Sequence, residues 1–303
     1  MYMKRQLSLK AGDKIAGYGF LLPAVLFMAA FVIAPIVYNI VISLQDVTAK
    51  TLIKSHREFI GLDNYVAIFK SGFLQNAIVN SFVYTIGCIV FQFSLGFFFA
   101  ILYTQKARSL KPLSGILLVA YILPPTIDAI VFKFFFQTTG GFINSLLTSL
   151  GLISHDIEWL VNGDSAMLSV ILSNTWTGIA FNMILLMAGL VNVPDDVYES
   201  SSIDGANKLQ QFTRITIPMM RGTIVSVLVL GFVYTFKCFE LIYVMTGGGP
   251  LQATELLTLY AYRRSFTEYA FGEGAAIANV LFVCLLAVGL FYGRLLNRQE
   301  ELA

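Results

Sequence analysis

The sequence predicts an all-α membrane protein with six transmembrane helices and both termini in the cytoplasm. Of its 303 residues, 57% are hydrophobic and only 13% are charged, whereas a soluble domain is roughly half apolar and a quarter charged. Six segments each supply the roughly 20 apolar residues that a helix needs to cross a bilayer core. Basic residues concentrate on one side of these segments, which is the cytoplasmic side by the positive-inside rule.

The six predicted spans are separated by polar or glycine- and proline-rich connections. They cover residues 16–42, 77–103, 114–136, 167–191, 224–245 and 275–296. The first span is too long for the apolar region of a cleaved signal peptide, so we predict a retained anchor helix. The resulting division is a cytoplasmic N-terminus at 1–15, the anchor at 16–43, an extracytoplasmic connection at 44–76, a five-helix core at 77–296 and a cytoplasmic C-terminus at 297–303.

The connections differ in basic charge from one side of the spans to the other. Twelve basic residues fall on the predicted cytoplasmic side, namely Lys4, Arg5, Lys10, Lys14, Lys106, Arg108, Lys111, Lys208, Arg214, Arg221, Arg294 and Arg298. Six fall on the opposite side, namely Lys50, Lys54, Arg57, Lys70, Arg263 and Arg264. The net charge is only +2, so the sequence excludes an extended nucleic-acid-binding surface.

The reactive residue types indicate no enzyme and no metal site. Cys88, Cys238 and Cys284 each lie in an apolar run without a Cys-x-x-Cys pair, and they are interpreted as small hydrophobic residues. His56 and His155 are isolated in polar connections, which does not fit a metal centre or a catalytic dyad. We therefore predict no catalytic, cofactor-binding or metal-ligating residue.

The cytoplasmic connection between the fourth and fifth spans is the most informative part of the chain. Pro194 and the acidic residues that follow it favour a helix start. The pair Asp204 and Gly205 favours a break, since glycine accepts backbone angles that other residues resist. A second short helix is expected after the break, because Ile203, Ala206, Leu209, Phe212 and Ile215 recur every third residue.

This apolar stripe is too short to span a bilayer and needs a partner to bury it. Three partners are compatible with the pattern: the lipid interface, the ends of the chain's own helices, or another protein. Periodicity alone does not choose between them.

The residues themselves resemble a known motif. Glu199-Ser200-Ser201 is followed after three residues by Gly205, and after nine more by Ile215-Thr216-Ile217-Pro218. This resembles the EAA loop of the permeases of binding-protein-dependent ABC importers, with serines in place of both alanines and isoleucine in place of the leucine. Further similarity to the carbohydrate branch, which includes the larger maltose-importer membrane subunit and the glycerol-phosphate and multiple-sugar permeases, lies at 59–65, 124–125, 246–250 and 271–276.

The resemblance implies a type I ABC importer permease fold in a bacterial cytoplasmic membrane. It implies that the loop at 192–218 couples to an ATPase through Glu199, Asp204, Gly205, Ala206, Phe212, Ile215 and Pro218. The implied partners are a second, homologous permease subunit in a heterodimer, two ATPase subunits, and an extracytoplasmic solute-binding protein that docks near residues 245–264. The chain has no Gly-x-x-x-x-Gly-Lys-Ser/Thr sequence, so ATP and Mg are expected on the ATPase partners.

Polar residues inside spans usually face a cavity or a partner because they are costly in lipid. Aligned on the glutamate of the motif, a set of residues in the fourth and fifth spans corresponds to the sugar site of the maltose permease. The set is Asn174, Thr177, Gly178, Phe181, Tyr234, Thr235 and Cys238. The substrate implied is a sugar or oligosaccharide, and helix packing is the alternative role for each residue.

Four charged residues in the predicted spans leave another interpretation open. Lys237 and Glu240 are spaced to pair across one helical turn, and we predict that they neutralise each other. With Asp128 and Lys133 they could instead serve a proton- or sodium-coupled carrier that works without an ATPase. A third alternative, an intramembrane enzyme, finds no matching constellation of residues.

Overall fold

The computed structural model describes residues 17–54, 57–104, 115 and 119–300, with 295–300 as backbone only. Within these ranges the chain forms helices and no β-strand, apart from isolated bridges between Gln45 and Phe59 and between Thr48 and Ala270. The predicted all-helical class is therefore confirmed. The predicted N-terminal tail, His56 and the beginning of the third span lie outside the described residues.

The helices are numbered in chain order. They are α1 (Gly17–Ser43), α2 (Asp63–Lys70), α3 (Phe73–Thr104), α4 (Pro125–Phe135), α5 (Phe142–Ser149), α6 (Gly163–Val191), α7 (Asp195–Ile203), α8 (Lys208–Met219), α9 (Arg221–Phe236), α10 (Glu240–Met245), α11 (Leu257–Tyr262) and α12 (Phe271–Glu300). Single π-helical turns interrupt α1 and α8 and extend α11.

Four helices are long and apolar enough to cross a membrane: α1, α3, α6 and α12. A fifth candidate is the pair α8 and α9, which meet at a bend of 70° next to Met220. The described residues thus contain four spans, or five if the bent pair counts as one. The six predicted spans stay a prediction, because the third lies partly outside the described residues.

Two predicted spans are not continuous helices. Residues 119–122 are helical, but Pro124 is extended, with ψ at 135°, and α4 begins only at Pro125. Proline lacks the N–H that a continuing helix needs, and it disfavours the helical conformation in the residue before it. The predicted third span is therefore broken near its middle.

The predicted fifth span is also broken, between α9 and α10. Helix α9 ends at Phe236, and α10 begins at Glu240. The hydroxyl of Thr258 donates to the carbonyl oxygen of Cys238 in this gap at 2.6 Å. A broken span is tolerable where other groups satisfy the freed backbone atoms.

Helices α3 and α6 pack side by side at the centre of the molecule. A Cβ atom at Gly96 would lie 2.6 Å from Cβ of Asn182, so the glycine lets the two helices approach closely. Tyr84 and Cys88 of α3 share one buried cluster with Val170 of α6. A second buried cluster joins the other ends of both helices to the start of α9.

Helix α1 stands largely apart from this bundle. None of its most apolar 18-residue window is buried against the rest of the chain. Its last turns contact α12, where Ser43 is buried. The remaining apolar surface of α1 is not covered by the described residues.

Candidate coupling segment and central cavity

We call residues 192–218 the coupling segment; it contains α7 and most of α8. Helix α7 begins at Asp195, directly after Pro194, with two acidic residues in its first turn. It ends at Ile203, and Gly205 then adopts a φ of +80°. The predicted helix start and the predicted break at Asp204 and Gly205 are both confirmed.

The second helix of the coupling segment begins with a capping box. The side chain of Asn207 accepts a hydrogen bond from the backbone N–H of Gln210, whose own side chain accepts one from the backbone N–H of Asn207. This reciprocal pair satisfies two backbone donors that a helix start leaves free. The turn between α7 and α8 is therefore closed by a defined structure rather than by an open loop.

Gln211 holds the two helices of the coupling segment against each other. It is 3% exposed, and its Nε2 lies 2.9 Å from Oγ of Ser201, 2.8 Å from Oγ of Ser202 and 3.2 Å from the carbonyl oxygen of Tyr198. Nζ of Lys208 donates to Oε1 of Gln211 at 3.3 Å. Ser201, one of the serines in place of alanine, thus contributes a hydroxyl to the contact between α7 and α8.

Two further contacts involve the coupling segment, one within it and one to a membrane helix. The hydroxyls of Tyr198 on α7 and Thr216 on α8 lie 2.8 Å apart. The rings of Phe212 and Phe97, the latter on α3, lie 5.5 Å apart. The coupling segment is therefore in direct contact with α3, and the chain continues from it into α9.

The predicted coupling residues fall into two groups. Glu199, Asp204, Gly205 and Pro218 are exposed, whereas Ala206, Phe212 and Ile215 are partly buried. Glu199 makes no ion pair in the part of the chain that the structure describes. Its carboxylate is thus available to a group outside the chain.

The apolar stripe predicted along this segment is divided rather than buried as one face. Ile203 is 87% exposed and Leu209 is 70% exposed, while Phe212 packs against the chain's own helices. The turn at Gly205 reorients α8 relative to α7, so a repeat of three residues does not keep one face across it. Part of the stripe is satisfied internally, and part has no partner within the described residues.

A cavity of about 500 Å³ lies among α3, α4, α6, α9 and α10. It is lined by Gln92, Tyr121, Pro125, Asn174, Thr177, Gly178, Phe181, Gly231, Tyr234, Thr235, Lys237, Cys238, Glu240 and Leu241. All seven residues that the sequence placed in a substrate cavity are among them. The structure brings them together, while their role in binding stays a prediction.

Aromatic rings form one wall of the cavity. The rings of Tyr121 and Phe181 are stacked, with centroids 6.4 Å apart, and Phe181 meets Tyr234 edge to face at 5.6 Å. Tyr234 is 56% exposed on this chain. Flat ring faces beside hydrogen-bonding groups are suited to ligands that are part apolar and part polar.

The prediction that Lys237 and Glu240 neutralise each other is wrong. No ion pair joins them; instead, Nζ of Lys237 lies 4.8 Å from the ring centroid of Tyr234. The spacing of three residues brings side chains together only within a continuous helix, and the helix is broken between these two positions. The ammonium group makes a cation–π contact in place of the ion pair.

The other two charged residues of the predicted spans have structural partners. Asp128 is 3% exposed, and its Oδ2 accepts a hydrogen bond from the hydroxyl of Thr177 at 3.2 Å. Lys133 Nζ donates to the carbonyl oxygen of Val244 near the end of α10 at 3.0 Å. Asp128 therefore lies behind the cavity wall and orients the hydroxyl of Thr177, which lines the cavity.

Several lining residues were not predicted from the sequence, and one of them is the polar residue Gln92. It lies on α3, in a span from which no cavity residue was predicted. Its signal is a carboxamide within a long apolar run, which is costly unless it has partners. Tyr121 and Gly231 carry no such signal, because aromatic and small residues are common in membrane helices.

The connection from α10 to α12 is held by a network of charges. Glu255 is 2% exposed and pairs with Arg263 at 2.7 Å, and Arg264 pairs with both Glu268 and Glu273. Burial raises the pKa of the Glu255 carboxyl above its ordinary value, although Arg263 acts to lower it. Nδ2 of Asn80 on α3 donates to the carbonyl oxygens of Gln252 and Glu255, which ties this connection to the bundle.

Comparison with known proteins identifies the family. Residues 92–300 match the family described as binding-protein-dependent transport system inner membrane component. A probable ABC transporter permease protein of Bacillus subtilis (strain 168), YurN, is 32% identical over 95% of this chain and 98% of its own. The trehalose/maltose transport system permease protein MalF of Thermococcus litoralis is 28% identical over 94% of each chain.

The fold is shared with a solved transporter. A chain in the crystal structure of a bacterial ABC transporter involved in the import of the acidic polysaccharide alginate superposes with a TM-score of 0.79, at 22% identity, over 97% of this chain and 99% of that chain. Family match, relatives and fold agree with one another and with the resemblance of the EAA-like segment. The chain therefore belongs to the family of binding-protein-dependent transport system inner membrane components and is an ABC transporter permease subunit.

Proposed function

We propose that this chain forms half of the translocation pathway of an ATP-driven importer for sugars or oligosaccharides. The coupling segment receives the movement of a cytoplasmic ATPase subunit, and a second, homologous permease subunit forms the other half of the pathway. ATP and Mg bind to the ATPase partners. The observation that carries the proposal is the coupling segment itself, a rigid two-helix unit that presents Glu199, Ile203 and Leu209 to the outside.

The surface of the coupling segment supports a protein partner over a lipid partner. Exposed Ile203 and Leu209 belong to the same short segment as the exposed charged residues Glu199, Asp204 and Arg214. An interfacial helix would separate its apolar face from a basic polar face. A segment that exposes acidic as well as apolar residues suits instead a cleft in a protein that offers a basic residue to Glu199.

The distribution of basic residues supports a cytoplasmic location for the coupling segment. In a chain of six spans with the basic residues of the connections inside, both termini and this segment would lie in the cytoplasm. The connection that carries Glu255 and Arg263 then lies outside, where a solute-binding protein would dock. The membrane is the cytoplasmic membrane of a bacterium.

The cavity supports a carbohydrate as the substrate. It combines the aromatic faces of Phe181 and Tyr234 with the polar groups of Asn174 and Thr177, and sugars need both stacking surfaces and hydrogen bonds. The relative from Thermococcus litoralis is named for trehalose and maltose. Because Tyr234 and Lys237 are exposed on this chain, the second permease would complete the enclosure.

Gly205→Asp tests the coupling role. Gly205 has a φ of +80°, and no atom lies within 4 Å of an added Cβ, so the substitution strains the turn without a steric clash. The importer is reconstituted in proteoliposomes with its partner subunits and the solute-binding protein. Gly205→Asp should insert normally, hydrolyse ATP and fail to accumulate sugar.

Gly151→Asp is the matched control. Gly151 has a φ of +70° and equally open surroundings, but it lies in the predicted extracytoplasmic connection between α5 and α6. It should carry the same local strain and keep transport coupled to ATP hydrolysis. Normal sugar accumulation by Gly205→Asp, or accumulation by the wild-type chain without an ATPase, would refute the proposal.

A further inference from the structure

Gln92 is the one carboxamide of α3 that reaches the central cavity, and the inference drawn from it rests on the proposed transport of carbohydrate. It lies in the interior of α3 and is 4% exposed. That small exposed fraction faces the cavity, since Gln92 is among its lining residues. A carboxamide in this position is costly unless its donors and its acceptor are satisfied.

One donor of Gln92 is used by the protein. Nε2 lies 3.0 Å from the carbonyl oxygen of Asn174 on α6. A carbonyl oxygen can only accept, so the nitrogen of the amide must be the atom that faces it. This contact fixes the direction of the carboxamide plane.

Gly178 makes the space that the carboxamide occupies. A Cβ atom at position 178 would lie 2.1 Å from Cδ and 2.4 Å from Nε2 of Gln92. Any other residue at 178 would therefore displace the amide from the cavity wall. Two positions on different helices are thus matched to hold one polar group in one orientation.

The carboxamide oxygen is left without a protein partner. In the described part of the chain no group donates a hydrogen bond to Oε1 of Gln92. Among the described residues, the fully buried side-chain atoms without a partner are Thr85 Oγ1, Glu255 Oε1, Arg263 Nε and Arg264 Nε. Oε1 of Gln92 is not one of these atoms, so it is not fully buried. An unpaired acceptor that is not fully buried, on a residue that lines the cavity, is open to the cavity.

We infer that Gln92 is a specificity-determining residue of the pathway, whose Oε1 accepts a hydrogen bond from one hydroxyl of the passing carbohydrate. The Asn174 carbonyl and Gly178 hold the amide in place, so the acceptor is aimed before the sugar arrives. A site built to bind a hydroxyl discriminates against analogues that lack it. Gln92 therefore selects among sugars by the position of that hydroxyl.

Asn182 shows what a purely structural carboxamide looks like in the same helix pair. It is 3% exposed, and its Nδ2 donates to the carbonyl oxygen of Gly178 at 2.8 Å. It packs against Gly96 and does not line the cavity. Asn182→Leu is thus the matched control for a loss of helix packing without a loss of sugar contact.

The test compares Gln92→Met with Asn182→Leu in the reconstituted importer with its solute-binding protein. Uptake is measured for a panel of trehalose, maltose, cellobiose and diacetylchitobiose, and then for deoxy analogues of the sugar that the wild-type complex accumulates fastest. Methionine keeps the length of glutamine but cannot accept a strong hydrogen bond. Gln92→Met should lower kcat/KM for that sugar by about three- to tenfold, the effect of one hydrogen bond.

The decisive result is the response to one deoxy analogue. For the analogue that lacks the recognised hydroxyl, wild type and Gln92→Met should have equal kcat/KM, whereas Asn182→Leu should keep the wild-type ratio between sugar and analogue. Unchanged ratios in Gln92→Met for every analogue would overturn the inference. If Gln92→Met does not assemble, Gln92→Asn, which withdraws the amide, is judged by the same ratios.

Failure of the inference is distinguishable from failure of the proposed function. A wild-type complex that accumulates none of the panel contradicts the proposed transport of carbohydrate. A wild-type complex that accumulates a sugar, together with Gln92 variants that keep its selectivity, contradicts the role of Gln92 alone.

Discussion

Nδ2 of Asn39, near the end of α1, donates a hydrogen bond to Oδ1 of Asn279 in α12 at 2.7 Å. Asn279 in turn donates to the hydroxyls of Ser43 and Tyr65, each at 3.0 Å. The bond therefore belongs to a closed polar cluster between α1, α2 and α12. Since the apolar length of α1 is otherwise unburied, this cluster is the main attachment of α1 to its own chain.

Loss of this cluster should loosen α1. Asn279→Leu removes three side-chain hydrogen bonds, and hydrogen bonds between membrane helices contribute about 0.6 kcal/mol each. We expect the free energy of unfolding to fall by about 1–2 kcal/mol by that reckoning. Thermal unfolding in detergent, followed by a thiol-reactive dye on the native cysteines, measures the change.

The control for that measurement is Ser149→Ala. Ser149 is exposed and bonds only to the carbonyl oxygen of Leu146 within its own helix. Its unfolding midpoint should match the wild type. An unchanged midpoint in Asn279→Leu would mean that α1 is attached by other contacts.

Gln211→Leu should open the coupling segment. The substitution keeps a similar side-chain volume but removes the contacts of Nε2 with the hydroxyls of Ser201 and Ser202 and with the carbonyl oxygen of Tyr198. A typical intramolecular hydrogen bond contributes about 0.5–1.5 kcal/mol to stability. Limited proteolysis should then cleave the turn between α7 and α8 faster than in the wild type, and sugar uptake per ATP hydrolysed should fall.

Thr213→Ala is the control, because it removes only a local hydrogen bond to the carbonyl oxygen of Leu209. It should change neither the cleavage rate nor the uptake per ATP. Equal cleavage rates in Gln211→Leu and the wild type would exclude the proposed role of Gln211.

Stability should depend on pH through Glu255. Burial raises the pKa of this carboxyl in the folded protein above its ordinary value of 4.5. The folded state therefore holds the proton more tightly than the unfolded state, so this contribution to stability is complete below pH 4.5 and is lost as the pH rises through the folded-state pKa. Unfolding midpoints measured from pH 4 upward should decline more steeply in the wild type than in Glu255→Gln, which does not titrate. Parallel curves would contradict the assignment.

Gly178→Ala should damage the cavity through Gln92. The added methyl would lie 2.1 Å from the Gln92 Cδ atom, which forces the amide away from the carbonyl oxygen of Asn174. We expect lower thermal stability together with weaker sugar selectivity. In the double variant with Gln92→Ala the clash disappears, so stability should recover while selectivity does not. Recovery of both would show that the amide has no part in recognition.

The coarse fold could be predicted from the sequence, because apolar runs are local features. Seven of the cavity residues could be predicted because the resemblance to the maltose permease aligned them with its sugar site. The break at Gly205 could also be predicted from the sequence, since a glycine after a short helix favours a left-handed turn. The break after Phe236 could not be predicted. In that break the carbonyl oxygen of Cys238 accepts a hydrogen bond from Thr258, twenty residues after Cys238, and no local sequence pattern predicts such a contact.

The pairing of Lys237 with Glu240 failed for the same reason. It assumed a continuous helix, and the broken helix leads the ammonium to Tyr234 instead. Gln92 was missed because its importance arises from a glycine on another helix. Contacts between distant segments therefore account for most of what the sequence did not reveal.

The 70° bend at Met220 makes α9 a lever. Its 16 residues extend from the bend to the cavity wall at Tyr234 and Thr235, a length of about 24 Å at 1.5 Å per residue. A rotation of about 5° at the bend would displace the far end of a rod of that length by about 2 Å. If the coupling segment transmits movement as proposed, a small rotation at this bend is enough to widen or narrow the cavity, and no helix has to slide along its axis.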